Sequence, residues 1–219
     1  MTSGKRVQLL VSTMKRKDIS WFDKLNSSSD AIIINQCGRK GKTEITRGLN
    51  NILWVDSDEI GLSKSRNTAL ENATGEYLVI TDDDLEYVDG YEEIVCNAFE
   101  KNPKADIIAF KVEGIERIFK KYGKKAKKIS YLNSLHISSV EIVVRNSSIK
   151  KTNIRFAEEF GAGAKYRMGE ENIFLFDCLK SGLKIYYEPQ VIAKLHMNES
   201  TWFSGYNKKY FLDLSLIHI

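Results

Sequence analysis

The sequence predicts an α/β fold, a Rossmann-like three-layer sandwich in which helices cover both faces of a mostly parallel central sheet. Three observations support this prediction. Short, continuous runs of valine, leucine and isoleucine, typical of strands buried on both faces, alternate along the chain with helical patterns. The connections between these elements are short. Polar residues follow directly after the apolar runs, at the sheet edge where such folds bind their ligands.

The first half of the chain contains the clearest elements. Five apolar runs are predicted as strands, and three segments with apolar residues at helical spacing are predicted as helices. A polar, glycine-bearing segment at 38–48 is predicted as a loop or a hairpin. The strands are predicted at 7–12, 31–34, 52–55, 77–80 and 106–112, and the helices at 18–26, 62–73 and 91–101.

The pattern changes after Val112. A basic stretch comes first, and the run SVEIVVR at 139–145 then alternates like a half-exposed strand. The later elements are predicted as a glycine-rich loop at 160–169, a helix at 170–181, and strands at 184–187 and 191–195.

Composition excludes several classes of protein. The chain has 219 residues, of which 42% are hydrophobic and 28% charged, so disorder, collagen and coiled coil are excluded. Three cysteines without a CxxC pair argue against a zinc ribbon or a disulfide framework and favour a reducing compartment. The N-terminal apolar run is too short for a signal sequence or a membrane span. The last six residues, 214–219 (LSLIHI), read like a translated sequencing adaptor, so we expect a non-native tail there.

Positive charge is concentrated in one segment. The formal net charge is +4, and residues 117–128 contain seven basic residues and no acid, which leaves −3 for the rest of the chain (4 − 7). This segment is either a solvated surface or a site for anionic lipid or an anionic glycan. No nucleic-acid recognition motif accompanies it, so we expect no nucleic-acid partner.

Clustered carboxylates mark the candidate site. Asp82, Asp83 and Asp84 end a predicted strand, and three adjacent carboxylates resist joint ionisation unless a cation is near. Their oxygen atoms suit Mg²⁺ or Mn²⁺, and the alternative is an acidic turn that caps the next helix. Glu170 and Glu171 open a later helix, where they either cap it or supply a general base.

Two further residues have a chemical and a structural interpretation. Arg66 lies one turn into a helix that starts at the same sheet edge, where a guanidinium can meet a phosphate or form a salt bridge. His196 follows the last predicted strand and is either a metal ligand or a structural histidine.

One run of the sequence resembles a known family. GLSKSRNTALENATGEYLVITDDD, residues 61–84, is similar to family 2 of the glycosyltransferases, which have the A-type glycosyltransferase fold. The later features fit in order: a glycine-rich loop, an acidic pair that opens a helix, and a histidine after a strand. Together with SDAIIINQC at 29–37, the sequence looks like that of bacterial enzymes of capsule or cell-surface polysaccharide assembly.

The resemblance implies a domain organisation and an activity. One glycosyltransferase domain would span 1–213, with a nucleotide-binding half at about 5–112 and an acceptor-binding half at about 113–213. The enzyme would be a metal-dependent hexosyltransferase of surface polysaccharide synthesis. It would move a sugar, with inversion, from a nucleotide-diphosphate sugar, with a UDP-sugar as the first choice, to a glycan or lipid-linked hydroxyl group. We expect it to work in the cytoplasm, and the positive charge of 117–128 predicts a contact with the inner face of the cell membrane.

The resemblance also implies roles for individual residues. Glu171 would deprotonate the acceptor hydroxyl, and Glu170 would orient the acceptor. The nucleotide-sugar would be bound by Ser12, Thr13, Gln36, Arg66, Asp82 and Asp83. The cation, Mn²⁺ or Mg²⁺, would be held by Asp84, Asp82 and His196.

Two departures from the family pattern leave alternatives open. Asn35 and Gln36 stand where the family often has an aspartate that reads uracil, so UDP is not fixed as the nucleotide. Glu171 stands where aspartate is usual, and a misplacement of about 1 Å can cost about a hundredfold in rate. Glu170 is therefore an alternative base, and a catalytically degenerate nucleotide- or carbohydrate-binding module is the alternative function. The absence of a glycine-rich loop after the first strand argues against a nucleotidylyltransferase, and the chain length argues against a receiver domain.

Overall fold

A ten-stranded mixed sheet forms the centre of the molecule in a computed structural model that describes residues 6–197. Six strands run in one direction, so the sheet is mostly parallel, as predicted. The strands are β1 (Val7–Met14), β2 (Asp30–Gln36), β3 (Gly41–Arg47), β4 (Asn50–Ser57), β5 (Tyr77–Asp82), β6 (Leu85–Tyr87), β7 (Ile107–Gly114), β8 (Lys127–Lys128), β9 (Ile142–Arg145) and β10 (Ile185–Leu195). Their order is β3-β4-β2-β1-β5-β9-β7-β10-β6, with β8 paired to β10.

Helices cover both faces of this sheet. The helices are α1 (Leu62–Asn72), α2 (Tyr91–Lys101), α3 (Tyr131–Ser134), α4 (Asn146–Thr152) and α5 (Glu170–Lys180). Side chains alternate along each strand, so Leu9 of β1 packs in the cluster with Phe99 of α2, whereas Leu10 packs in the opposite cluster with Leu70 of α1 and Phe174 of α5. This double coverage confirms the predicted three-layer α/β sandwich.

The helix predicted at 18–26 differs from the structure, whereas the hairpin alternative predicted for 38–48 is present. The expected helix at 18–26 is a 3₁₀ turn, Ser20–Leu25, in which the Asp18 carboxylate accepts a hydrogen bond from the Ser20 N–H. Asn26 ends this turn in the left-handed conformation, at φ 50°. The segment at 38–48 contains β3, which forms an antiparallel hairpin with β4.

The strand predicted as half-exposed is buried. β9 is inserted antiparallel between β5 and β7, so Val143 and Val144 contact other elements on both faces of the sheet. The polar residues Ser139 and Glu141, which produce the alternating pattern at 139–145, lie in a 3₁₀ turn that precedes the strand. The strand itself contains only the apolar run and Arg145. The two strands predicted at 184–195 form one strand, β10, whose pairing with β7 is irregular next to Pro189.

The described part of the chain ends at residue 197. The predicted non-native tail at 214–219 therefore lies outside the described residues, as does the end of the predicted domain. Among the helices at 6–197, none is both long and apolar enough to cross a bilayer.

Candidate functional site

The carboxyl ends of β1, β2 and β5 enclose a cavity at one edge of the sheet. Ser12 of β1 lies opposite Asp82 of β5, and Met14 lies opposite Gln36 of β2. The cavity has a volume of about 750 Å³. Six of the predicted site residues line it, namely Ser12, Thr13, Gln36, Asp82, Asp83 and Asp84. The glycine-rich loop predicted at 160–169 supplies Ala162, Gly163, Ala164 and Arg167, and the sequence prediction missed the remaining lining residues, Met14, Ile60 and Leu62.

The three aspartates have different surroundings. Asp83 is held on the β1 side, because its Oδ2 atom accepts hydrogen bonds from the Thr13 hydroxyl and from the Arg16 guanidinium at 2.9 and 2.7 Å. Asp82 lies 3.4 Å from an Arg66 nitrogen. The Oδ1 atom of Asp84 is buried and has no hydrogen-bond partner within 6–197. Burial, and then the charges of Asp82 and Asp83, raise the pKa of Asp84 to about 7.

This carboxylate set fits a hard divalent cation. An unsatisfied buried oxygen on Asp84 is costly unless a cation or a donor meets it, and the crowding of Asp82, Asp83 and Asp84 would be relieved by positive charge. Mg²⁺ is commonly held by one or two carboxylates, with substrate phosphates completing the shell. Within 6–197, no group of three or more histidine, cysteine or acidic side chains is placed to hold a metal ion. A cation at this site would therefore depend on substrate phosphates for further ligands.

His196 lies next to the backbone of Asp84. The backbone N–H of His196 donates a hydrogen bond to the backbone carbonyl of Asp84 at 3.0 Å. The imidazole Nδ1 of His196 lies 3.3 Å from Glu116 Oε1. The His196 side chain is 47% exposed. The imidazole is therefore paired with an acid, and its role as a metal ligand stays a prediction.

Arg66 does not line the cavity. Its side chain is only 1% exposed, and its guanidinium donates to Glu170 Oε1 and to the Ser139 hydroxyl, both at 2.8 Å. The expectation from sequence was a contact with a diphosphate, and burial under α5 and the 3₁₀ turn before β9 removes the guanidinium from that position. Arg66 instead joins α1, α5, the end of β5 and that turn, and its guanidinium lies over the Phe156 ring.

Glu170 and Glu171 differ in their electrostatic environment. The Glu170 carboxylate is 8% exposed and is engaged by Arg66, so its charge is compensated. Burial, and then the neighbouring charge of Glu170, raise the pKa of Glu171 well above its usual range. Once it is ionised, a carboxylate with a raised pKa is a stronger base than an ordinary glutamate.

The glycine-rich loop packs against the start of α1. The Leu62 N–H donates to the Ala162 carbonyl at 2.9 Å, and the Ser63 hydroxyl donates to the Phe160 carbonyl at 2.7 Å. Gly163 has φ +80°, and a Cβ atom there would lie 3.0 Å from Ile60 Cγ2. The loop therefore needs glycine at 163 to form this side of the cavity.

Asn35 and Gln36 both support the site through hydrogen bonds. The Asn35 amide donates to the Arg16 carbonyl at 3.0 Å and to Asp56 Oδ1 at 2.8 Å, and its oxygen accepts the Arg16 N–H. Gln36 Oε1 accepts the Gly61 N–H at 2.7 Å, directly before α1. Arg16, which the sequence prediction also missed, is thus fixed at its backbone by Asn35 and at its side chain by Asp83.

Comparisons with known proteins bear on this geometry. Residues 27–163 match the family described as Glycosyl transferase family 2. The chain is similar to the crystal structure of S. aureus TarS 1–349, with a TM-score of 0.68, 14% identity, and coverage of 97% of this chain and 64% of that one. The match to TarS 1–349 in complex with UDP-GlcNAc has a TM-score of 0.65 and 15% identity, and it covers 97% of this chain and 65% of that one. The match to the crystal structure of a longer S. aureus TarS chain has a TM-score of 0.70 and 15% identity, and it covers 97% of this chain and 39% of that one.

These structural matches confirm the A-type glycosyltransferase fold. The chain spans less than two thirds of the length of the TarS chains that it matches. Among curated protein sequences, none matches this chain significantly.

Proposed function

This chain belongs to glycosyl transferase family 2, and we propose that it transfers a sugar from a nucleotide-diphosphate sugar, with a UDP-sugar as the first choice, to a hydroxyl group of an acceptor. The observation that carries the proposal is the 750 Å³ cavity, which brings Ser12 and Thr13 together with Asp82, Asp83 and Asp84. Its volume lies within the range of roughly 300–1,000 Å³ that is typical of small-molecule sites. We take the sugar to be a hexose and the acceptor to be a glycan or a lipid-linked glycan of surface polysaccharide.

The identity of the donor is supported by similarity. The TarS structures to which this chain is similar include one in complex with UDP-GlcNAc and one in complex with UDP. In this chain, the nucleotide would lie along the ends of β1 and β2, between Thr13 and Gln36. The sugar would then lie towards the glycine-rich loop, where Ala162, Gly163 and Ala164 complete the cavity wall.

The carboxylates at the end of β5 would hold the cation. Asp84, together with Asp82, would bind Mn²⁺ or Mg²⁺, which when bound offsets the negative charge that develops on the leaving diphosphate. Asp83 is already engaged by Thr13 and Arg16, so it would position this side of the cavity rather than contribute a free oxygen.

Glu171 is our choice for the general base. The Glu170 carboxylate is bound to the buried Arg66, whereas burial raises the pKa of Glu171. Glu171 would take the proton of the acceptor hydroxyl as its oxygen attacks the anomeric carbon from the face opposite the diphosphate. The bond from that carbon to the diphosphate oxygen breaks, and the sugar is transferred with inversion. Glu170 and Arg66 would hold the start of α5 in place.

The basic segment at 117–128 would bring the protein to the inner face of the membrane. It contains seven basic residues, and Ile118 within it is 81% exposed. Each basic residue near an anionic surface contributes about 1 kcal/mol to membrane binding. Co-sedimentation with phosphatidylglycerol vesicles at low and high salt tests this contact, and an absence of binding at both salt concentrations would refute it.

Release of free nucleotide tests the proposed activity. Wild-type protein is incubated with a panel of UDP-sugars, with Mn²⁺ or with a chelator, and released UDP is measured. We expect cation-dependent release for at least one donor. Binding of UDP-sugars without release, in the presence of candidate acceptors, would favour the alternative of a catalytically degenerate binding module.

A further inference from the structure

A second cavity lies at the carboxyl end of β7, outside the site described above. It has a volume of about 590 Å³, and the basic segment folds over it. Its walls include two aromatic side chains, Phe119 and Tyr122, and its charged groups are Lys111, Lys120 and Lys124 with a single acid, Glu113. Aromatic walls combined with a few charged groups are typical of sites for small polar ligands.

Hydrogen bonds of Lys120 and Tyr122, most of them partly buried, fix one wall of this cavity. The Lys120 ammonium donates to the Ser138 hydroxyl at 3.1 Å, to Glu141 Oε2 at 2.7 Å, and to a backbone carbonyl. The Tyr122 hydroxyl donates to the other oxygen of Glu141, which is nearly inaccessible to solvent. Lys120 and Glu141 therefore neutralise each other, and the Tyr122 ring is held in one position.

Two other lysine side chains of the cavity, Lys111 and Lys124, are less fully neutralised than Lys120. Lys111 is partly neutralised by Glu113, whose Oε1 lies 3.7 Å from its ammonium. Lys124 is exposed and has no ion-pair partner within 6–197. The Tyr122 ring is covered by Lys111, Lys120 and Tyr187, so the feature that the cavity presents to a ligand is the uncompensated ammonium group of Lys124.

The sheet places this cavity close to the proposed donor site. Gly114, in the wall of the cavity, lies opposite Leu195 of β10, and Leu195 lies opposite Leu85 of β6. Adjacent strands are about 4.8 Å apart, so two strand spacings, about 10 Å, separate Gly114 from the residue that follows Asp84. The Gly114 end of the second cavity therefore lies within about 10 Å of the donor site.

We propose that this second cavity binds a phosphate group carried by the acceptor, with Lys124 as the main charge partner. Lysine is a common point-charge partner of phosphate. The phosphate belongs either to the glycan itself or to a lipid carrier. Calling the ligand an acceptor rests on the proposed function, whereas the phosphate site itself does not.

Two neighbouring lysines provide a matched test. Lys124 lines the cavity and Lys125 does not, yet both are exposed and lie in the same basic segment. Binding of glucose 1-phosphate, with glucose as the uncharged control, is measured by saturation-transfer NMR on the full chain without divalent cation. Lys124→Glu is expected to weaken the binding of glucose 1-phosphate by at least about tenfold, since a hydrogen bond to a charged group is lost. Lys125→Glu and Asp84→Ala are expected to leave it unchanged, and glucose is expected to bind far more weakly.

Three results would overturn the proposal: equal weakening by Lys124→Glu and Lys125→Glu, no effect of Lys124→Glu, or equal binding of glucose and glucose 1-phosphate. Equal weakening would indicate a diffuse surface field. Phosphatidylglycerol vesicles then distinguish the two sources of phosphate, because only a lipid phosphate in the cavity makes vesicle binding more sensitive to Lys124→Glu than to Lys125→Glu. Loss of UDP binding in Asp84→Ala is measured separately, so a failure of the donor site is distinguishable from a failure of the phosphate site.

Discussion

Replacement of Arg66 by methionine is expected to destabilise the fold strongly, although the substitution keeps a long apolar side chain. Arg66 is 1% exposed and its partner Glu170 is 8% exposed, so neither charge can turn to water when the other is removed. The Ser139 hydroxyl would also lose its donor. The same substitution leaves Glu170 buried and uncompensated next to Glu171.

The magnitude follows from the burial of the pair. Removal of one partner of a buried ion pair costs about 3–5 kcal/mol, because the remaining charge loses its compensation. The contact to Asp82 adds less than about 1 kcal/mol, since its distance is 3.4 Å and Asp82 is 31% exposed. The Arg66→Met/Glu170→Met double variant removes both charges, so its free energy of unfolding is expected to exceed the additive value by about 2 kcal/mol or more.

Urea denaturation, followed by tryptophan fluorescence and circular dichroism, measures these differences. Lys64→Met is the control, because Lys64 lies on the same helix and forms an exposed pair with Glu59 at 2.9 Å. The control is expected to leave the free energy of unfolding nearly unchanged, because an exposed ion pair is screened by solvent. A loss below about 1 kcal/mol in Arg66→Met, or strict additivity in the double variant, would refute the view that the buried pair holds the site together.

Three further predictions concern activity. Glu171→Gln is expected to lower kcat by about 10²–10⁴-fold while UDP binding is retained, and equal activity in steady-state assays would remove Glu171 as the base. Because the pKa of Glu171 is raised and the base must be ionised, kcat/KM of the wild type is expected to fall on the acid side at a pH above the ordinary glutamate value of about 4.3; a profile flat down to that pH would contradict this assignment. Gly163→Ala is expected to cost about 1 kcal/mol or more in stability and to raise the KM for the donor. Gly182→Ala is the matched control, since Gly182 also has positive φ but no atom within 4 Å of its Cβ position, and its donor KM is expected to stay unchanged.

The donor side of the site was predictable because local patterns specify it. A parallel sheet brings the carboxyl ends of its strands to one edge, so Ser12, Gln36 and Asp82 could be placed together from strand positions alone. The structure puts these residues in one cavity. The helix that begins at Leu62 and the strand that ends at Asp82 also lie where the apolar periodicity predicted them.

The remainder depended on contacts between distant segments. A burial pattern does not reveal that Arg66 meets Glu170, which is 104 positions away, and an arginine near a phosphate-binding edge is easily taken for a ligand contact. The insertion of β9 between β5 and β7 was equally hidden. Both of these strands come earlier in the chain and are connected to each other through α2, so nothing in the local sequence shows that a later strand lies between them. The second cavity forms only when the basic segment folds over β7. The sequence shows only that lysines cluster in this segment.

Calorimetric titration with UDP, with and without Mn²⁺, tests the central claim most directly. Wild type, Asp84→Ala and Asp177→Ala are compared, the last because Asp177 is an exposed aspartate on α5 outside the cavity. We predict Mn²⁺-dependent UDP binding in the wild type and in Asp177→Ala, and its loss in Asp84→Ala. UDP binding that is independent of Mn²⁺ and unaffected by Asp84→Ala, or no binding of UDP by the wild type, would contradict the assignment of the 750 Å³ cavity as a cation-assisted nucleotide-sugar site.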